Sequence, residues 1–311
     1  KLMLKKIIFS YVMLLFVTTS SFSQTKIYIE ALVENEIITN YDIQKEIRYL
    51  QILNNDLKNL NDTKKIEIAK TSLINEIIKK KEIIKIFDLE DENLLVKQYL
   101  KDFYMKLNVS NEKDFEEILL KDENYSLDEI KKKIKVELLW NELIYSKYVN
   151  QIKIDKNLLM KKINKLDNKI RKEYLLSEII FMKPYDKNLE DFIKKIITSI
   201  SEIGFNNTAN IYSVAESAKL GGKLGWIDES NLSELIFKEL KMINEGEYTN
   251  VINIRNNYMI LKIEKIRLNE ISINKDNELN KMIKYETNKQ LNQFSRIYFE
   301  KSKINYSINE N

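Results

Sequence analysis

The chain has 311 residues, 51 basic against 47 acidic, with five glycines, one proline, no cysteine and no histidine. Without histidine there is no Ser-His-Asp triad, no imidazole base and no histidine-held zinc or haem. Without cysteine there is no disulfide, thiolate nucleophile or iron–sulfur cluster, so carboxylates, lysine, serine and tyrosine remain, or no covalent chemistry at all.

At the N-terminus, Lys5 and Lys6 precede an apolar run from Ile7 to Val17, and Ser21-Phe22-Ser23 places small residues before Gln24. This order predicts a secretory signal peptide over 1–23, cleaved on export. The apolar run is well short of the ~20 residues a membrane span needs. Cleavage removes Lys1, Lys5 and Lys6, leaving 48 basic against 47 acidic residues. That balance offers no basic stripe for nucleic acid. Lys79-Lys80-Lys81 and Lys131-Lys132-Lys133 read as solvated helix faces.

A strand is predicted over Ile27–Val33, turned by Glu34-Asn35-Glu36, with Thr39 or Asn40 capping a helix from Tyr41 that aligns Ile43, Ile47, Leu50 and Leu53. Helices follow over Asp62–Phe87 (stripe Ile66, Ala69, Leu73, Ile77), Glu92–Lys106 and Glu112–Leu120, the last capped by Ser110. Ser126-Leu127-Asp128-Glu129 is a capping box opening a helix that reaches Val149, and Asp155–Asn168 is a further helix.

From Lys172 the pattern changes: strand Tyr174–Met182, helix Leu189–Ser201, a short extended piece Ala209–Tyr212, a glycine-rich bend Gly221–Trp226, helix Leu232–Ile243, and strands Val251–Ile254 and Tyr258–Arg267. All five glycines lie between Gly204 and Gly246. The order describes a compact α+β domain inserted into a helical body. The helix expected over Leu279–Tyr298 cannot bury its apolar face alone. It is expected to fold back on the N-terminal helices, with Ile304–Ile308 pairing with Ile27–Val33. The predicted divisions are 1–23 signal peptide, 24–171 helical body, 172–267 inserted domain, and 268–311 a C-terminal helix and strand closing on the body. The fold class is α+β.

Tyr212-Ser213, Gly221-Gly222-Lys223-Leu224-Gly225-Trp226, Asn244-Glu245-Gly246-Glu247 and Asn257-Tyr258-Met259-Ile260-Leu261-Lys262 together resemble a parvulin-type peptidyl-prolyl isomerase domain, whose series is Y-S, G-G-x-L-G-W, x-x-G-E and G-Y-H-I-x-K. Ala31-Leu32-Val33-Glu34-Asn35-Glu36-Ile37-Ile38-Thr39 resembles the opening of the SurA chaperones, and the order of segments is similar over the whole chain after the leader, with one parvulin domain where many members carry two.

The resemblance implies a slot for a prolyl ring lined by a Met and a Phe, with two histidines nearby. Here Leu232 and Ile236 stand at the apolar positions, with Phe237 adjacent, and Glu178 and Met259 stand at the histidines. Rotation of a prolyl bond crosses a barrier of ~18–20 kcal/mol without a covalent intermediate and needs groups that favour the twisted amide. Loss of both imidazoles implies weak or absent isomerase activity in a domain kept for peptide binding. The candidate groove comprises Glu178, Leu232, Ile236, Phe237, Tyr258 and Met259. Gly221, Gly222, Leu224, Gly225, Trp226 and Gly246 form the motif that shapes it.

The implied function is an ATP-independent periplasmic chaperone of a Gram-negative bacterium, needing no cofactor, metal or nucleotide and acting as a monomer. Its partners are unfolded outer-membrane β-barrel precursors or other exported polypeptides, and the outer-membrane assembly machinery. One alternative is an active periplasmic isomerase using Glu178, Ser177 or Tyr258; another is a membrane-tethered scaffold. Ser110-x-x-Lys113 matches the spacing of serine acyl-enzymes, but capping accounts for Ser110.

Overall fold

The computed structural model describes residues 26–89, 95–107, 109–121, 125–164, 170–184, 188–254, 257–270 and 275–310. The expected leader over 1–23 lies outside them.

Ile29–Val33 (β1) and Glu36–Thr39 (β2) form an antiparallel hairpin. Thr39 Oγ1 accepts from the Asp42 amide at 3.2 Å, and the Asp42 carboxylate accepts from the Thr39 amide at 2.8 Å. This reciprocal cap opens helix α1, Asn40–Leu53. Its buried stripe holds the expected Ile43, Ile47, Leu50 and Leu53.

Asp62–Ile83 (α2), Leu95–Lys106 (α3), Glu112–Lys121 (α4), Leu127–Tyr148 (α5) and Lys156–Asn164 (α6) complete the body. Asn111, not Ser110, caps α4, its Oδ1 accepting from the Asp114 amide at 2.9 Å. Asn111 directly precedes Glu112, the first residue of α4, so its side-chain carbonyl meets the first-turn amide, and Ser110, one residue earlier, is exposed.

Helix α2 departs from the single apolar stripe expected of it: Ala69 is buried, but Ile66, Leu73 and Ile77 are only partly so, and Ile68, Ile74 and Ile78 take the core positions. Ser72, Glu76, Lys79 and Glu82 are buried as well, because partners distant in sequence meet them. Lys133 on α5 makes ion pairs with Glu76 and, at 2.9 Å, with Glu46 of α1. Lys79 sits 2.6 Å from Glu137 on α5. Lys79 and Lys133 therefore belong to the interior, contrary to the solvated face expected of both lysine runs. A buried charge persists only where it is paired and hydrogen-bonded.

The inserted unit is a four-stranded antiparallel sheet, order β4-β3-β6-β5, from Ile170–Phe181 (β3), Lys223–Asp228 (β4), Ile252–Ile254 (β5) and Asn257–Glu270 (β6). Leu189–Ile203 (α7) and Phe205–Tyr212 (α8) cover one face, with Ile196, Ile200, Phe205 and Ala209 packed on Ile179, Phe181 and Ile260. Glu234–Leu240 (α9) covers the other.

Residues 209–212 are thus helical rather than extended. Burial of Phe205 and Ala209 overrides the weak helix propensity of Phe205-Asn206-Asn207-Thr208, and the Asn207 and Thr208 side chains bond the carbonyls of Ile203 and Gly204 at 2.8 and 2.9 Å.

Lys275–Lys303 (α10) returns to the body, as the sequence requires. Trp140 is fully buried between Tyr298 and Phe299, ring centroids 5.6 and 6.0 Å away. Strand β7, Ile308–Glu310, then pairs antiparallel with β1, Val33 opposite Ile308 and Ala31 opposite Glu310. The expected pairing with β1 is present, but α10 runs through Lys303 and the strand begins at Ile308 rather than at Ile304.

Candidate peptide-binding site

Successive residues of a strand point to opposite faces. Leu176, Glu178 and Ile180 of β3 lie opposite Ile263, Leu261 and Met259 of β6, so all six share the face under α9. Leu232, Ile236 and Phe237 pack on that same apolar cluster. Ser233 Oγ accepts from the Ile236 amide at 3.3 Å, which starts α9 and fixes Leu232 just before it. Five of the six expected groove residues are thereby brought together around Met259.

Tyr258 is the exception. It occupies the alternate position on β6 and stacks on Phe181 beneath α7, centroids 5.6 Å apart. Ser177 is likewise on the far face, donating to Glu264 at 2.9 Å. Neither reaches the groove, so the polar groups of the alternative isomerase reduce to Glu178.

Glu178 is buried, and its Oε1 accepts from Ser217 Oγ at 2.9 Å. Burial pushes its carboxyl above the ordinary range, opposed by the Ser217 hydroxyl and the positive charge of Arg296 on α10. Arg296 in turn is pulled down by burial and held up by Glu178 and Glu216.

The glycine motif builds the floor. Gly222 has φ 78°, and a Cβ there would stand 2.2 Å from the Glu178 carbonyl oxygen. That close approach lets the Glu178 amide donate to the Gly222 carbonyl at 2.8 Å, aligning β4 with β3. Gly221 (φ 70°) faces Asn206 and Asn54, a body residue. Gly225 and Gly246 also have positive φ. Leu224 and Trp226 are partly exposed on edge strand β4, with the Arg267 guanidinium 4.1 Å from the Trp226 ring centroid.

Ser213, Ser217 and Arg296 escape sequence reasoning. Ser213, inside the quoted Tyr212-Ser213, accepts from the Ile180 amide at 3.0 Å and locks α8 to the groove strand. Ser217 and Arg296 carry no pattern of their own.

The resulting site is an apolar slot with one carboxyl beside it and a thioether where a second polar group would stand. It has no nucleophile–base pair. Among the described residues, no group of three His, Cys, Asp or Glu could hold a metal ion, and no helix is long and apolar enough to cross a membrane.

Residues 181–265 match the family model described as Rotamase: PPIC-type PPIASE domain. The chain is 27% identical to chaperone SurA of Pseudomonas putida over 154 residues, 46% of this chain and 35% of that protein. It thus spans about a third of that relative's length. It is also similar to a solved SurA-like chaperone of Campylobacter jejuni, from work on PEB4 and Cj1289 (18% identity, 91% of this chain and 98% of that one, TM-score 0.35). PrsA of Bacillus anthracis aligns at 16% identity over 76% of this chain and 98% of that one, TM-score 0.30. The chain is thus similar to SurA over part of its length, and residues 181–265 match a PPIC-type, parvulin domain.

Proposed function

We propose that the protein is an exported, ATP-independent chaperone that holds unfolded outer-membrane β-barrel precursors in the periplasm, with a PPIC-type domain that binds peptide and isomerises prolyl bonds weakly or not at all. The observation that carries the second half is that Glu178, opposite Leu261, and Met259, opposite Ile180, stand on the same groove face. A buried carboxyl already bonded to Ser217 and a thioether do not replace two neutral imidazoles. The similarity to SurA and the predicted leader support the first half. Barrel precursors present alternating aromatic-rich strands, and the apolar groove suits such segments.

The test measures aggregation suppression of an unfolded outer-membrane barrel and prolyl-peptide isomerisation in one preparation of the chain. Suppression with little isomerisation is expected. Isomerisation without suppression overturns the proposal in favour of a periplasmic isomerase, the reading that the match over 181–265 favours.

A further inference from the structure

The prolyl slot has a rim of one sign. From Asp228 to Glu247, the stretch that carries α9 and the turns on either side of it, six acidic residues stand against two lysines. Most of these charges are engaged. Asp228 accepts from the Ser230 amide at 2.8 Å, Glu245 from the Ile266 amide and Glu247 from the Asn244 amide at 2.7 Å, so these three hold turns. Glu234 pairs with Lys238 at 3.1 Å, both well exposed. Glu229 and Glu239 make no side-chain hydrogen bond or ion pair among the described residues.

Both free carboxylates border the slot. The Leu232 amide donates to the Glu229 carbonyl at 3.2 Å, so the short turn Glu229–Asn231 sets Glu229 beside this slot residue. Glu239 lies three positions after Ile236 on α9, a neighbouring place on a helix surface. Strand β5, which closes the groove face with Ile252, carries no charge, and Glu178 and Arg296 offset one another behind it. Lys241 is the remaining cation. Its Nζ stands 4.4 Å from the centroid of the Phe237 ring, so the aromatic wall already holds an ammonium, supplied by the chain itself. Lys241 is exposed, and a second cation reaches the same ring once that side chain turns into solvent. Leu232, Ile236 and Met259 floor the slot, so the rim suits a cation that brings an apolar body with it. Lysine and arginine carry apolar stems beneath a charged head.

We propose that the prolyl slot selects segments in which a proline is flanked by lysine or arginine, the basic side chains meeting Glu229 and Glu239 at the rim and the face of Phe237 now under Lys241. The proposal rests on the reading of the PPIC-type domain as a peptide binder and names the class of peptide it takes.

The test titrates the full chain by calorimetry with short acetylated, amidated peptides that differ only at their centre: Lys-Pro-Lys, Glu-Pro-Glu and Lys-Ala-Lys. The first is expected to bind at least about tenfold more tightly than either of the others at low salt. Its lead over Glu-Pro-Glu should narrow as sodium chloride rises. Glu229→Gln combined with Glu239→Gln is expected to bring Lys-Pro-Lys and Glu-Pro-Glu within about threefold. Lys241→Gln bares Phe237 and removes a positive charge, so it is expected to bind Lys-Pro-Lys about threefold more tightly than the parent, a gain that no loss of structure produces. Equal affinity of the parent for Lys-Pro-Lys and Glu-Pro-Glu, an undiminished preference in the double variant, or no gain in Lys241→Gln overturns the rim assignment. Equal binding of Lys-Pro-Lys and Lys-Ala-Lys overturns the role of the slot. A chain that still binds these peptides in either case keeps the peptide-binding reading, whereas a chain that binds none of them refutes that reading itself.

Discussion

Glu76 offers the sharpest test of the buried charge network. Its side chain is 9% exposed and accepts from Lys133, with Lys80 at 2.7 Å. Burial alone would raise its pKa, but these lysines outweigh burial and bring it from 4.5 to about 2. A folded-state value below the unfolded one contributes stability above the unfolded pKa, and that contribution is lost as pH falls through the folded pKa. The separation corresponds to about 3 kcal/mol, present at neutral pH and fading from roughly pH 4.5 down to 2. Glu76→Gln removes the titration, while Lys133 keeps Glu46 at 2.9 Å and is not orphaned. The variant is therefore expected to be less stable than the parent by about 1–3 kcal/mol at pH 7. The difference should close as pH approaches 2, where the parent carboxyl is also neutral. Urea denaturation followed by circular dichroism at a series of pH values reads this directly. A stability difference that stays constant with pH, or grows on acidification, refutes the assignment of Glu76 as a charge held by Lys133 and Lys80.

Lys219 carries the ion pair that ties the PPIC-type domain to the body, 3.0 Å from Glu137, the two side chains 29% and 38% exposed. Because Glu137 retains Lys79 and solvent screens the pair, Lys219→Met should cost about 1 kcal/mol of docking, roughly a fivefold rise in amide exchange over residues 216–220 with little change elsewhere. Gly222→Ala places a Cβ against the Glu178 carbonyl in a left-handed backbone. It is expected to destabilise the inserted domain by at least about 2 kcal/mol, measured by thermal unfolding. If the lost imidazoles limit catalysis, Glu178→His with Met259→His should raise prolyl-peptide isomerisation at least about tenfold. An unchanged rate would place the deficit elsewhere in the groove.

Local signals in the sequence translated well into structure where the partners are near in the chain. The Thr39 cap and the Ser126 capping box need only four residues each, and both are present. The closure of β7 on β1 was legible for a different reason: an isolated helix and strand have nowhere else to bury their apolar faces. Its register was not, since the end of α10 depends on Ser302 and Tyr306 packing on the body. Hydrophobic periodicity could not see that Lys79 and Lys133 point inward, because the carboxylates that admit them lie 58 and 87 positions away. In the groove, motif spacing placed Glu178 and Met259 on one face. The same spacing gave Tyr258 a role that strand alternation denies it, as neighbours on β6 cannot both face α9.

The junction between body and PPIC-type domain is held by polar contacts converging on one turn of α5. Glu137 receives Lys219, and Trp140, one turn on, donates to Ser295 at 2.9 Å, which donates to Glu216 at 2.8 Å. Glu216 and Lys219 belong to the same short turn, so two separate routes fasten one segment to one place. A second point of attachment joins Asn54 to Asn210 at 2.7 Å and Asn206 to Asp56 at 3.1 Å. Beside these hydrogen bonds and the ion pair, Ile203, Ile211 and Leu220 of the inserted domain pack, partly buried, on the body's apolar cluster. An interface that joins polar links with a few partly buried apolar contacts, rather than a large apolar core, permits relative domain motion.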